Sequence, residues 1–279
     1  MTPAEWVLLV AIVLFGLAIG SFTCVIIDRL PFALEEPDQY GDSVGIAPWR
    51  EVLGGTSRCS SCGEGVRPRD NIPVVSWLLL RGKCRGCGEK IPAFHPIVEL
   101  SVPVIAVGLM FGIGREWLLL PALIFVAPAV AIAAIDFRWM IVPTKLVWPT
   151  FFVVVPVCVA VALVQEHPRW LLGALLGLAV LAGPLFAIFW VYPQGMGFGD
   201  VRLSVLLGWM IGFAGAYFGA SLPVVAVLVL VAVVASSIIG IVLGLMSGRG
   251  SRQVPFGPPL ILAALLAIGL ARQFVEPFV

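Results

Sequence analysis

Residues 117–136 read WLLLPALIFVAPAVAIAAID, and residues 195–248 read GMGFGDVRLSVLLGWMIGFAGAYFGASLPVVAVLVLVAVVASSIIGIVLGLMSG. The first stretch is an uncharged run closed by Asp136. The second opens on a glycine-rich segment ending in Asp200 and, after Arg202, holds no charge through residue 248. A bilayer core is about 30 Å thick, so about 20 apolar residues cross it as a helix. The first run is one crossing. The second is too long for one, which predicts a break near residues 215–219.

Uncharged or nearly uncharged runs also occupy 6–27, 96–113, 146–164, 170–191 and 254–271. With 117–135, 203–220 and 222–245 they make about eight spans. Only the second contains a charge, Glu99. The first run is longer than a signal-peptide core and has no basic leader, so it reads as a retained span. The fold class is an all-α polytopic membrane protein. Its expected organisation is a first transmembrane helix over 1–27, a polar lobe over 28–95 and a seven-helix membrane domain over 96–279. Apolar residues make up 60% of the chain and charged residues 12%, which excludes an ordinary soluble domain. The net charge of +1 argues against nucleic-acid binding, and two histidines are too few for a histidine-rich metal site.

Lys and Arg in short loops mark the cytoplasmic side. One side carries Arg138, Lys145, Arg202, Arg249, Arg252 and the nine basic residues from Arg29 to Lys90; the other carries Arg115, Arg169 and Arg272. The lobe and both aspartates therefore fall on the cytoplasmic face. The lobe contains Cys59-Ser60-Ser61-Cys62 and Cys84-Arg85-Gly86-Cys87. Two such knuckles suit a tetrahedral four-cysteine zinc site, structural because it is closed to water. Two disulfides or two redox pairs are the alternative, disfavoured in a reducing compartment. Cys24 and Cys158 lie inside spans and read as buried thiols. The acidic segment 34–55 reads as a solvated loop or as an acidic surface for a basic partner.

A carboxylate at the edge of a bilayer is costly, and such residues usually have a function. Asp136 lies at a helix C-terminus, the end that disfavours an anion. Asp200 stands where it could N-cap a helix beginning near Val201. The glycines before it would also let a substrate backbone approach closely. If the two aspartates face each other, one can hold a proton while the other stays ionised, as in an aspartic protease. Neither His95 nor His167 has an evident nucleophile beside it, so a Ser–His–Asp arrangement fits less well. A transporter or channel using the two carboxylates as ion ligands is the rival reading, and it does not account for the cysteine lobe.

These residues together resemble the type IV prepilin peptidases. Residues Gly20-Ser21-Phe22 through Arg29-Leu30-Pro31 are similar to the family's opening motif, GSFxxVxxxRLP. Ser76-Trp77-Leu78 with Arg81-Gly82-Lys83-Cys84-Arg85 resembles SWLxLRGxCR, and Pro96-Ile97-Val98-Glu99-Leu100 resembles YPLVEL. Gly195 to Leu203 is close to GMGxGDxKL, and Pro255-Phe256-Gly257-Pro258 resembles PFGP. Thr144 stands where the family often has a further aspartate, Arg202 where lysine is common, and His95 in the usual tyrosine context. The resemblance implies that Asp136 and Asp200 are catalytic. It implies cleavage of the basic leader from prepilins or pseudopilins after a glycine, at the cytoplasmic face of a bacterial inner membrane. S-adenosylmethionine-dependent methylation of the new N-terminus would follow. Members with the zinc insert tend to be bifunctional. No independent S-adenosylmethionine motif is present, and Glu99 is the polar candidate for contacting that cofactor.

Overall fold

The computed structural model describes residues 2–33, 44–114, 116–192, 197–246 and 255–278. Seven of its helices are long and apolar enough to cross a membrane, and a bent pair near the C-terminus makes an eighth crossing if counted as one span. The chain is a polytopic helical membrane protein with a four-cysteine lobe between its first two spans. It divides into two compact units, Met1–Val107 and Gly108–Val279.

In the first unit, α1 (Pro3–Arg29) opens with a capping box between Thr2 and Glu5. A short antiparallel pair follows, β1 (Pro31–Ala33) with β2 (Val44–Ile46), in register Phe32 to Gly45. This pair is an addition to the all-α expectation. Most of the acidic segment, 34–43, lies outside the described residues. Then come α2 (Trp49–Leu53), α3 (Val75–Leu79) and the start of α4 (Phe94–Ile113). Along α1, Gly16 meets Pro103, Gly20 meets Glu99, and the Cys24 thiol lies 3.5 Å from the His95 carbonyl oxygen. Rising numbers on α1 thus pair with falling numbers on α4, so the helices run antiparallel and the lobe lies at the end where α1 finishes and α4 begins. A Cβ on Gly20 would come within 2.6 Å of the Glu99 carbonyl oxygen, so only glycine permits this approach.

The second unit holds α5 (Leu119–Trp139), α6 (Thr144–Val164), α7 (Trp170–Val191), α8 (Phe198–Tyr217), α9 (Leu222–Met246), α10 (Gly257–Gly269) and α11 (Ala271–Val275). The predicted break falls between α8 and α9, where Gly219 takes φ 89°. Helix α8 is the least apolar of the seven spans and the most buried. Its glycine face packs on α7: a Cβ on Gly208 would sit 2.6 Å from the Gly177 carbonyl oxygen, and one on Gly177 would sit 2.7 Å from the Gly212 Cα. Small residues let backbones touch in this way, and dispersion between them replaces a hydrophobic driving force that lipid does not supply.

Two boundaries differ from the sequence reading. Helix α8 begins at Phe198 with Gly197 as N-cap residue, so Asp200 lies inside the first turn rather than capping it. The last apolar run is not one straight span; α10 stops at Gly269 and the chain bends by 68° before continuing. Thirteen helical residues rise only about 20 Å, short of a full crossing.

Candidate functional site

Asp136 lies in the last turn of α5, where helix formation ends at Met140 in the left-handed conformation (φ 58°) and the Met140 N–H closes on the Asp136 carbonyl oxygen at 2.9 Å. Asp136 is only 4% exposed. Burial of a carboxyl is tolerable only with hydrogen-bond partners. The Gly257 N–H, in the first turn of α10, donates to Asp136 Oδ2 at 3.0 Å. A Cβ at position 257 would fall 2.6 Å from that same oxygen, so the contact needs a residue without a side chain.

Asp200 enters from the N-terminal end of α8 and is half-buried. It lies in the turn whose free N–H groups favour a negative charge. The end of α5 that carries Asp136 and the start of α8 that carries Asp200, far apart in sequence, are brought to the same end of the second unit's helices. Three elements hold this geometry. The connector after α5 lies against α8, where a Cβ on Gly199 would come within 2.8 Å of the Val142 Cβ. Arg202 donates to the Thr144 hydroxyl oxygen and so ties α8 to the first residue of α6. Its guanidinium also sits 4.4 Å above the Phe198 ring, which packs in turn on Phe189. The exposed rings of Phe137 and Phe198 belong to the same helix ends as the carboxyls. Gly195 and Met196, at the start of the glycine-rich segment, lie outside the described residues.

Two acid groups thus lie at the ends of helices whose connecting segments touch. The sequence pointed to both aspartates but not to the N–H that meets Asp136. Pro255-Phe256-Gly257-Pro258 stood out only through its family likeness, and no spacing rule links position 257 to position 136.

The lobe carries a second constellation. The Sγ atoms of Cys59, Cys62, Cys84 and Cys87 all lie within 4.8 Å of one another, and Cys59 and Cys87 are 3.8 Å apart. Zinc–sulfur bonds of about 2.3 Å in a tetrahedron place sulfurs about 3.8 Å from each other, so the four residues fit the metal. The two knuckles are built alike. Cys59 N–H reaches the Glu64 carbonyl and Gly63 N–H the Cys59 carbonyl; Cys84 N–H reaches Glu89 and Gly88 N–H reaches Cys84. Gly63 and Gly88 adopt φ 71° and 73°, the left-handed turn that glycine takes without penalty. Backbone N–H groups of Cys62 and Ser61 hold the Cys59 thiol down at about 6, while against the Glu89 backbone N–H desolvation and the neighbouring sulfurs push the Cys87 thiol up to about 12, so four thiolates together call for a cation among them. Asp70 and Arg85 close the lobe with paired bonds of 2.9 and 2.6 Å.

Glu99 is also placed. Its Oε2 accepts from the Val74 N–H at 2.7 Å, within the first unit.

Fold and site together define a polytopic membrane protein with a pair of carboxyls at adjoining helix ends and a cysteine lobe between its first two spans. The chain belongs to the type IV leader peptidase family, whose profile matches residues 123–245, while the bacterial peptidase A24 N-terminal domain matches residues 14–113. It is 32% identical over 276 residues to a prepilin leader peptidase/N-methyltransferase of Aeromonas hydrophila, covering 94% of this chain and 91% of the relative. A protein of the same name from Dichelobacter nodosus is 30% identical over 282 residues, covering 95% and 92%. One from Bacillus subtilis is 30% identical over 213 residues, covering 74% and 75%. No solved structure matches significantly.

Proposed function

We propose that this protein is a membrane aspartic endopeptidase that removes the basic leader from type IV prepilins or pseudopilins, after a glycine, and then methylates the new N-terminus. The observation that carries the reading is the meeting of the two segments that bear the aspartates: Asp136 ends α5, Asp200 lies in the first turn of α8, and Gly199 beside it packs on Val142 of the connector after α5. Membership of the family and the names of the relatives support the substrate class and the second activity. The distribution of Lys and Arg supports a cytoplasmic face of a bacterial inner membrane for the lobe and both aspartates.

In the proposed mechanism one aspartate is ionised and takes a proton from the bridging water as that water attacks the scissile carbonyl. The other, protonated, donates a hydrogen bond to the developing oxyanion. Collapse of the tetrahedral intermediate breaks the C–N bond and returns a proton to the leaving amine. No covalent acyl-enzyme forms. The Gly257 N–H fixes one oxygen of Asp136, leaving the other to address the water. The pair titrates as a unit, so no proton is assigned to either member.

Zinc bound by Cys59, Cys62, Cys84 and Cys87 would fold the lobe rather than react. S-adenosylmethionine, when bound, would supply an electrophilic methyl group for the new amine. Glu99 remains the candidate contact for that donor, with its bond to Val74 supporting a packing role as well.

The test uses purified protein with a synthetic prepilin and S-adenosylmethionine, and the product is weighed. The wild type should give a mass loss equal to the leader and then a gain of one methyl. Asp136→Asn and Asp200→Asn should each abolish cleavage while the protein stays folded and keeps its metal. Normal cleavage by both variants would reject the reading and favour a transport role for the carboxylates.

A further inference from the structure

Helix α3 presents a face that the protein leaves uncovered. Leu78 is 62% exposed and Leu79 77% exposed, with Ile72 and Val75 also open to the surroundings. The opposite face is locked into the lobe. The buried Ser76 hydroxyl accepts from the Ile72 N–H and donates to the Arg69 carbonyl, both at 3.0 Å. The Trp77 indole N–H donates to the Ile91 carbonyl at 3.1 Å. The outward leucines are therefore held outward by inward anchors.

The height of this face is fixed by Glu99. The Val74 N–H, just before α3, donates to Glu99 Oε2 at 2.7 Å. Val74 is the centre of a γ-turn: its φ is 61°, and the Val75 N–H closes on the Pro73 carbonyl at 2.6 Å. Such a turn is strained for a β-branched residue, and the Val74 N–H within it is the group bonded to Glu99. Glu99 lies three residues inside the apolar run that starts at Pro96, about 4.5 Å along the helix. That run of 18 residues spans about 27 Å and needs all of its length to cross a bilayer core. A backbone group bonded to Glu99 is consequently at the boundary between headgroups and acyl chains.

Charge completes the match. Residues 57–90 carry seven Lys or Arg against three Asp or Glu, and Arg81 and Lys83, directly after α3, are exposed. Apolar side chains at this depth beside an excess of basic ones suit an anionic lipid surface. We propose that α3 is an in-plane membrane anchor. Ile72, Val75, Leu78 and Leu79 insert into the acyl boundary while Arg81 and Lys83 meet anionic headgroups. Glu99 is the pin that sets its depth. The inference does not depend on the chemistry of the aspartates.

The test uses the full-length protein in nanodiscs, one copy per disc, with Leu79 replaced by the fluorescent residue dansylalanine. In discs containing phosphatidylglycerol, lipids spin-labelled near the headgroup end of the chain should quench about half of the emission or more, and aqueous iodide very little. In phosphatidylcholine discs the lipid quenching should fall. Strong quenching by iodide would overturn the proposal. So would protection from both quenchers, which would mean that a protein surface, a second copy or a substrate helix covers the leucines. Hydrogen exchange on the unsubstituted protein guards against a misfolded variant. Amides of residues 75–80 should exchange about tenfold more slowly in phosphatidylglycerol discs than in phosphatidylcholine discs, and equal rates would overturn the anionic match.

Discussion

Asp136 depends on a residue that contributes no side chain. The Gly257 N–H is bonded to Oδ2, and any Cβ there would push the carboxylate aside. Gly257→Ala is expected to lower kcat for leader removal about 100-fold, as misplacement of a reacting group by about 1 Å does. KM should change less than kcat, since the added Cβ meets the Asp136 carboxyl rather than an exposed surface. A kcat within a few-fold of wild type would show that the carboxylate tolerates the shift. At Met140 the left-handed backbone costs a residue with a Cβ about 1 kcal/mol. Met140→Gly should therefore leave global stability unchanged or raise it by up to about 1 kcal/mol, in a detergent unfolding titration. A loss of more than that would assign the Met140 side chain, 40% exposed, a packing role the backbone does not reveal. Both aspartates were legible in the sequence because charge is rare in this chain. Their hydrogen-bond environment was not, because it depends on which distant helix start arrives beside them.

Among the elements, the α7–α8 seam is the tightest. Gly177, Gly208 and Gly212 bring the two backbones into contact. Gly208→Ile should destabilise the second unit by about 1–3 kcal/mol or prevent its folding, because helix backbones, unlike side-chain tips, cannot move aside locally. Retention of wild-type thermal stability would mean that the helices separate more freely than the seam suggests. Most spans were legible from uncharged length alone. Helix α8 was read as beginning near Val201 with Asp200 as its candidate N-cap, whereas it starts at Phe198 and includes Asp200. A tertiary hydrogen bond from Arg202 to Thr144 and a contact with the Phe198 ring one turn back accommodate the Arg202 charge inside the helix. The bend after Gly269 had no proline or charge to announce it, and an apolar run looks the same whether straight or broken.

For the whole molecule, the four-cysteine lobe and the helical spans have different sources of stability. A lobe this small buries too little apolar surface to fold unaided, and a metal held by its four cysteines would supply the missing stability. Cys59→Ser or Cys84→Ser should lower bound zinc from about one equivalent per chain toward none, measured by elemental analysis. The same variants should raise proteolytic nicking within 57–90 and leave the membrane-spanning helix content by circular dichroism nearly unchanged. Full zinc occupancy in both variants would exclude a four-sulfur site. The spans need no such help, with one exception that bears on how the chain is made. Helix α8 is the least apolar of the seven, and its glycines give it little to offer lipid. On leaving the ribosome it would partition poorly into the bilayer alone. Its glycine face fits α7, which is synthesised just before it, so the pair is expected to leave the translocon together, with α7 waiting at the lateral gate as a chaperone for its neighbour.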